Sequence, residues 1–559
     1  MKLRTSYFNP EALRKNVTRF APAWALYTLF WLMLVFMMQD GNRWPDDFAR
    51  NMGESLQFTP VFNLGYALLC AQLLFGDLYN GKMCNALHAM PLRREGWFLT
   101  NVASGILFGL VPNLAVTLVS CAFTGEYWMV APLWLAGNTL QYLFFFGVAV
   151  LSAYCVGNRF AMALVYAIIN FFSLIAYWLI ESLYVPMLYG IVIDLEPFYL
   201  FSPVYKMVGA GDYILVSYDL SIVKAEEGWG YLAVCAGIGV ALMGIALLLY
   251  RRRNLECAGD FVAVKALGPV FLILYCLCGG AVSYLFFSLF VGDESLFFLV
   301  IGMTVGWFTG HMLLARTVRV FGKKKLIGWG ALILIFFATL GLTKLDPLGI
   351  TRWVPQAQQV ESVMLNTGVR YNRGEDAYVL TDPADIESIL SVHRYGIDNP
   401  DADYNGKADV QLTISYRLKS GRTVSRSYAV DVDTTQGNTL KSLLSRKEFV
   451  LGTKEDAQTF ARSLMLIYTE RGMKIQGEDM AGLLEAMMQD CAAGNMAQES
   501  AFYQSGGIAE WLTLQVMEDD QNTFAWMVRV YKSSENTLAW LEAHEMLLEQ
   551  EDKYSGKYG

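Results

Sequence analysis

Two stretches of this sequence have residue types at a spacing that could bind phosphate or a metal ion. Residues 76–83, GDLYNGKM, nearly match the phosphate loop GxxxxGK[ST], but Met83 replaces the hydroxyl that would bind Mg²⁺. The segment before this stretch is an apolar run of membrane-span length, whereas a phosphate loop follows a sheet strand. We therefore expect no ATP site in this chain.

The second stretch begins like a calcium-binding loop. Its candidate ligands are Asp401, Asp403, Asn405 and Asp409. The twelfth position of such a loop supplies a bidentate Glu, and Leu412 stands there. The alternative is a turn rich in Asp, Asn and Gly that leads into a strand, DVQLTISY. This turn is the interpretation that we favour, so we expect no metal site.

No other segment carries an enzyme motif. The sequence has no GxSxG elbow and no HExxH, and its four histidines are far apart. We therefore expect that the chain is not an enzyme and that it binds no cofactor itself.

Composition indicates a membrane protein with a separate water-soluble part. The chain has 559 residues and is 55% hydrophobic, which is too apolar for a soluble protein of this length. Residues 345–559 carry 20 Lys and Arg against 32 Asp and Glu, whereas the preceding residues carry 23 against 19. The acidity of the soluble part argues against nucleic acid as a partner. Cys491 is its single cysteine, so it has no disulfide framework.

The hydropathy pattern predicts nine membrane spans of about 20 residues each. They lie at 21–39, 57–76, 97–123, 129–157, 160–182, 229–250, 266–290, 296–318 and 326–344. The basic loops all fall on one side and the mostly acidic loops on the other, so the basic side should face the cytoplasm. We therefore predict a polytopic α-helical membrane protein of the plasma membrane, with a cytoplasmic N-terminus and residues 345–559 outside the cell.

Several features describe how the spans and their flanks are built. Residues 1–20 are predicted to form a cytoplasmic helix on the membrane surface, starting at Asn9 and Pro10. The loop 183–228 is apolar and cut by prolines, which indicates short helices that re-enter the outer leaflet. Glycines at four-residue spacing predict close helix packing within this subunit. These glycines are Gly105 and Gly109 in the third span, and Gly302, Gly306 and Gly310 in the eighth.

The exterior part is predicted to be an α+β domain. Strands are expected near 358–364, 409–417, 423–431, 509–517 and 524–531. Helices are expected at 383–392, 455–471, 478–492 and 536–550. We find no repeat of fixed period in this part of the sequence.

The segment 77–96 between the second and third spans has the pattern of a short amphipathic helix. Tyr79, Met83 and Leu87 recur at helical spacing, and Pro91 should end the helix near Met90. Arg93 and Arg94 follow, and such residues are retained on the cytoplasmic side. A short helix joined to two spans on this side is a lever that a soluble partner could push.

With this loop, the order of elements resembles the permease subunits of ATP-binding-cassette (ABC) transporters, in the exporter-type, type-2 branch. The resemblance covers about residues 1–260. It includes the basic surface helix, the loop with ALHAMPLRREGW, the long outer loop and the sixth span ending in LLLYRRRNLECAGD. It implies a six-span permease core at 21–250 with a coupling helix that contacts a cytoplasmic ATPase. The coupling residues that it implies are Met83, Leu87, Met90, Pro91, Arg93 and Arg94.

Two parts of the chain depart from that family core. Residues 251–344 add three spans, and residues 345–559 add an exterior domain of unknown function, as in a subset of such permeases from Gram-positive bacteria. The resemblance implies an efflux role, a separate ATPase that binds ATP and Mg²⁺, and a second permease subunit, identical or related. The alternative from another class is a membrane sensor whose exterior domain binds a ligand or peptide.

Overall fold

The computed structural model consists of two compact units. It describes residues 8–41, 45–88, 93–192, 201–209, 214–216, 223–225, 228–253, 258–291, 296–367, 379–400, 409–470, 472–503, 508–517 and 523–546. The first unit is Met1–Ser182 with Leu195–Thr339, and the second is Leu183–Asp194 with Leu340–Gly559.

The first unit is almost entirely helical. Its helices are α1 (Pro10–Arg19), α2 (Ala21–Gly41), α3 (Pro45–Ser55), α4 (Thr59–Leu74), α5 (Gly81–His88), α6 (Arg94–Ser120), α7 (Val130–Cys155), α8 (Arg159–Leu179), α9 (Pro203–Gly209), α10 (Trp229–Arg252), α11 (Gly268–Val291), α12 (Leu296–Ala315) and α13 (Lys323–Leu345). The last of these continues into the second unit. Helix α1 begins as predicted, because the Asn9 side chain accepts a hydrogen bond from the Ala12 amide at 3.2 Å.

Among the described residues, eight helices are long and apolar enough to cross a membrane. They are α2, α6, α7, α8 with its continuation to Met187, α10, α11, α12 and α13. The chain is therefore a multi-pass helical membrane protein. The predicted span at 57–76 corresponds to α4, which has 16 residues. At 1.5 Å per residue this helix is about 24 Å long, shorter than the roughly 30 Å hydrocarbon core.

Glycines allow the helices of the first unit to approach closely. A Cβ atom on Gly105 would lie 1.9 Å from Phe146 Cζ, and one on Gly109 would lie 2.3 Å from Tyr142 Cδ1. Both ring partners belong to α7, so these glycines form the contact between α6 and α7.

The same holds for the hairpin of α11 and α12. A Cβ atom on Gly302 would lie 2.4 Å from the Gly279 carbonyl oxygen. One on Gly306 would lie 3.0 Å from Cys276 Cα, and one on Gly310 would lie 2.8 Å from Leu272 Cδ1. The helical faces that carry the tandem glycines are thus packed inside this chain.

The second unit contains two α+β modules with the same topology. The first module has β4 (Val360–Asn366), β5 (Val379–Leu380), α14 (Pro383–Asp398), β6 (Asp409–Leu418), β7 (Thr423–Asp431) and α15 (Thr435–Leu444). Short helices α16 (Lys447–Val450) and α17 (Ala457–Ser463) follow. The second module has β8 (Leu464–Thr469), β9 (Lys474–Ile475), α18 (Glu478–Ala492), β10 (Ile508–Met517), β11 (Thr523–Tyr531) and α19 (Glu535–Ala543).

Each module has the chain order β-β-α-β-β-α, and all its strand pairs are antiparallel. The strand order is β7-β6-β4-β5 in one sheet and β11-β10-β8-β9 in the other. When the four strands of a module are numbered along the chain, the spatial order across the sheet is therefore 4-3-1-2 in both modules. The second unit therefore contains a structural duplication, although its sequence has no repeat of fixed period.

Most of the predicted elements of this part are confirmed. Strands β4, β6, β7, β10 and β11 and helices α14 and α18 lie where the sequence predicts them. The predicted helix 455–471 is wrong in its second half, because Leu464–Thr469 forms β8. This strand lies between β10 and β9 in its sheet, and cross-strand pairing there outweighs the helical spacing of its apolar residues.

The long loop 183–228 contributes to both units. Ile191–Val192 form β1, which pairs antiparallel with β7 and adds a fifth strand to the first module's sheet. The prediction of short helices is therefore wrong for this segment. A short helix is present at α9, which packs against α4 and α8 in the first unit, whereas re-entry into the outer leaflet stays a prediction. Strands β2 (Ile214–Val216) and β3 (Val223–Ala225) form a hairpin in the same unit.

Candidate functional site: the segment between α4 and α6

The segment after α4 folds as a 3-10 turn followed by a separate short helix. Gly76–Tyr79 form the turn, and the extended backbone of Asn80 interrupts the helical conformation before α5 begins at Gly81. The Asn80 side chain accepts a hydrogen bond from the Lys82 amide at 3.0 Å and so caps α5. Residues 76–83, the near-match to a phosphate loop, therefore follow a helix and form the 3-10 turn and the start of α5. A phosphate loop instead connects a sheet strand to a helix.

The segment is anchored at its start. Leu78 is buried, and the Tyr79 hydroxyl donates to the Ala153 carbonyl at 3.4 Å near the end of α7. In α5, Cys84 faces inward and is buried, whereas Met83 is 42% exposed. Helix α5 therefore packs on the protein through Cys84, and the face with Met83 is exposed.

The other predicted coupling residues have different positions. Arg93 is exposed immediately before α6. Arg94 is half-buried, and its guanidinium donates to the Arg253 carbonyl at 3.2 Å. Met90, Pro91 and the side chain of Leu87 lie outside the described residues. Met83 and Arg93 are thus the outward pair, whereas Arg94 holds the start of α6 against the end of α10.

Arg253 connects the ends of three helices. Its Nη1 donates to the carbonyls of Ala153 at 3.2 Å and Tyr154 at 3.4 Å, at the end of α7. Its own carbonyl accepts the hydrogen bond from Arg94, at the start of α6. Beside it, Arg251 forms an ion pair of 3.2 Å with Glu95. These contacts bring together the basic loops that the sequence assigns to one side.

Two more connections join the same end of the helical unit. The Gly259 amide donates to the Gly157 carbonyl at 2.6 Å, between the loop after α10 and the loop after α7. Asp260 in turn forms an ion pair of 2.6 Å with Arg316, at the end of α12. The ends of α7, α10 and α12 are therefore connected to one another and form a platform. The segment before α6 contacts this platform at α7, through the Tyr79 hydroxyl.

Inside the first unit, buried amides form a neutral hydrogen-bonded network. The Asn63 side chain donates to the Asn138 side chain at 2.6 Å, and Asn138 donates to Asn113 at 3.0 Å. The Tyr27 hydroxyl donates to Asn63 at 3.0 Å, and Gln141 accepts from the Thr59 hydroxyl. This network ties α2, α4, α6 and α7 together. Its members are satisfied largely by one another, which favours a structural role over a substrate path.

The calcium-loop residues Asp401, Asp403 and Asn405 lie outside the described residues. Asp409 starts β6, where it is paired with Asp431 across the sheet. In the part of the chain that the structure describes, no group of three or more His, Cys, Asp or Glu side chains could hold a metal ion.

A buried cluster in the first module was not predicted from the sequence. His393 is fully buried, with its Nδ1 at 3.1 Å from the Tyr416 hydroxyl, and its ring lies 5.3 Å from that of Tyr428. Burial, together with Arg426 and Arg394, lowers the pKa of His393 to about 4. A histidine directly after the predicted helix 383–392 was the only available signal, because the observed helix continues to Asp398.

The cluster also holds β1 and the chain after α13. Arg426 donates to the Ile350 carbonyl at 3.1 Å, and the Ser427 amide donates to the Gly190 carbonyl at 2.9 Å. Gly190 has a φ of +71°, and a Cβ atom there would lie 2.2 Å from Tyr428 Cε1. Glycine is required at this position because of its positive φ and because the Tyr428 ring leaves no space for a Cβ atom.

A second buried titratable group joins the two modules. Glu499, after α18, accepts a hydrogen bond from the hydroxyl of Thr367, which follows β4. Burial raises the pKa of Glu499 to about 7, so this carboxyl group changes charge near neutral pH. Nearby, Lys441 of the first module lies 4.6 Å from the centre of the Tyr503 ring.

No protein-family model, curated protein or solved structure matches this chain. A functional assignment therefore depends on the residues and on the geometry of the segment between α4 and α6.

Proposed function

We propose that this chain is the membrane-spanning permease subunit of an ABC exporter, driven by a separate cytoplasmic ATPase. The observation that carries the proposal is the geometry of α5. This short helix is capped by Asn80, is packed through Cys84 and exposes Met83. It lies on a platform where the basic ends of several long helices meet. Such a surface can receive a push from a soluble partner and pass it to the helices.

The orientation is part of the proposal. The basic platform, with Arg93, Arg251 and Arg316, faces the cytoplasm. Helix α4 serves as a ninth span, extended at one end by the 3-10 turn Gly76–Tyr79. The segment after α8 and the chain after α13 fold into one unit, so both should lie on the same side of the membrane. Four candidate spans, α10 to α13, separate these two segments, which is the even number that this requires.

In this mechanism, ATP and Mg²⁺ bind to the partner ATPase, and this chain contributes no catalytic residue. A second permease subunit, identical or related, completes the transport path. Movement of the ATPase displaces α5, and the Arg253 contacts pass the displacement to α6, α7 and α10.

Co-purification tests this proposal. The tagged chain, extracted in mild detergent from its source cells, should bring down a protein with Walker motifs, and the complex should hydrolyse ATP. A chain that acts as a membrane sensor would purify without an ATPase. In that case the exterior unit, rather than α5, would carry the function.

A further inference from the structure

The outer edge of β11 in the second module corresponds to the edge that binds β1 in the first module. In the first module, β7 is paired on its outer side with β1, through Ile191 opposite Arg426 and Val192 opposite Ser425. In the second module, β11 is the edge strand, and among the described residues its one strand partner is β10. Within the part of the chain that the structure describes, one of the two equivalent edges therefore has no added strand.

The equivalence extends to individual residues. Ser427 is opposite Thr413 in the first module, and Met527 is opposite Thr513 in the second. The Ser427 amide points away from β6, since it donates to Gly190. The Met527 amide and carbonyl have the same place in the ladder, so they point away from β10. The amide and carbonyl of Ala525, two residues earlier in the strand, also point away from β10.

One end of this edge is already covered by a side chain. The Arg529 amide donates to Gln498 Oε1 at 2.7 Å, and the Arg529 carbonyl accepts from Gln498 Nε2 at 3.1 Å. This pair of hydrogen bonds reproduces the contacts of a neighbouring strand. It shows that the main chain of β11 faces outward here, so the open edge lies on the side of Arg529 towards Thr523 and includes Ala525 and Met527.

The open part of the edge has the character of a strand-binding site. Met527 is 63% exposed, and Ala525 is also exposed. Neither is a charged residue or a proline, the residues that protect edge strands from pairing. Unpaired main-chain groups beside an exposed apolar side chain bind an extended peptide by adding it to the sheet.

We propose that the β11 edge, at Ala525 and Met527, binds a short, extended apolar segment of another polypeptide by antiparallel strand addition. The occupant of the equivalent edge has this character, since β1 is a two-residue apolar strand from a connecting segment. A second copy paired through β11 fits less well. Two β11 strands related by a two-fold axis would bring a second strand against the Gln498 side chain. The inference goes beyond transport and does not depend on it.

The test uses the full chain in detergent and a fluorescent peptide with the sequence of residues 188–193, LYGIVI. Fluorescence anisotropy measures its binding to the parent and to two variants. Met527→Leu keeps the amide donor and an apolar side chain, so it should bind like the parent. Met527→Pro removes the donor at an edge position and should weaken binding at least tenfold.

A second arm of the test leaves the protein unchanged. N-methylation of the peptide at its valine, which corresponds to Val192 opposite Ser425, removes a main-chain donor that faces β11, and it should weaken binding as strongly as Met527→Pro. N-methylation at the preceding isoleucine alters an outward amide and should have little effect. The proposal is overturned if the parent shows no saturable binding, or if both Met527→Pro and the valine-methylated peptide bind normally. A dimer that becomes monomeric on Met527→Pro would identify a second copy as the occupant instead.

Discussion

The Gly190 carbonyl oxygen accepts a hydrogen bond of 2.9 Å from the Ser427 amide, so the connection after α8 forms part of a sheet far along the chain. This pairing makes residues 183–194 a part of the second unit. That unit is therefore joined to the membrane helices at two places in the chain, through the connection after α8 and through α13. Substitution of Gly190 tests how much this attachment contributes.

Gly190→Ala should release β1 from the first module. The added Cβ atom would lie 2.2 Å from the Tyr428 ring, and overpacking of this kind costs about 1–3 kcal/mol. Gly349→Ala is the matched control, because Gly349 also has positive φ but has no atom within 4 Å of the added Cβ. Hydrogen exchange of the full chain should show faster exchange at Ser427 in Gly190→Ala only. Equal protection in both variants would show that β1 is not held by this contact.

Cysteine labelling on intact cells tests the orientation. Ser420→Cys, in the exposed hairpin between β6 and β7, should react with an impermeant maleimide, and Lys324→Cys should not. Cys121 is exposed at the end of α6, so both variants are made with Cys121→Ser. Labelling of Lys324→Cys and not of Ser420→Cys would reverse the topology.

Acidification should loosen the first module through His393. Its pKa is about 4 in the folded chain against 6.5 for the free side chain, so the unfolded state binds more protons between these values. The resulting stability is present above pH 6.5 and is lost as the pH falls towards 4, by roughly 3 kcal/mol. Hydrogen exchange in α14 should therefore accelerate between pH 6.5 and 4.5, after correction for intrinsic rates. His393→Gln cannot titrate and should remove most of this pH dependence; an unchanged dependence would refute the assignment.

Glu499 should have the opposite effect on the second module. Its pKa is about 7 in the folded chain against 4.5 for the free carboxyl, so the folded state binds the extra proton. Stability is therefore full below pH 4.5 and falls as the pH rises to 7, by roughly 3 kcal/mol. Maleimide labelling of buried Cys491 in the full chain measures opening of this module. The labelling ratio of parent to Glu499→Gln should rise from pH 5 to pH 7. A constant ratio would mean that Glu499 does not titrate in this range.

Local patterns in the sequence predicted most elements but not the duplication. Strands β6 and β10 alternate inward and outward residues, so each was recognisable by itself. The counterparts of the His393 cluster are different residues: Trp526 and Val528 stand where Arg426 and Tyr428 stand in the first module. Only the period of apolar residues is shared, and that period is common to all strands.

Contacts distant in sequence account for the rest. Strand β1 has two residues and is held by main-chain hydrogen bonds, which leave no side-chain pattern. For the coupling segment, the sequence predicted a helix and its basic flank. The sequence did not predict that Arg93 is exposed while Arg94 is half-buried. That difference arises because the Arg94 guanidinium donates to the Arg253 carbonyl at the end of α10.

The most direct test of the central proposal is ATPase coupling in lipid nanodiscs. Met83→Asp and Arg93→Glu change the two exposed residues among the predicted coupling residues that the structure describes, whereas Arg94 is left intact because it supports α6. Met129→Asp is the matched control, since Met129 is 47% exposed and lies at the start of α7, away from the platform at its end. We predict that both coupling variants insert normally but lose at least tenfold in ATPase affinity, about 1.4 kcal/mol, and in stimulation of ATP turnover. The control should behave like the parent. Coupling variants that bind and stimulate the ATPase like the parent would contradict the proposed function of α5.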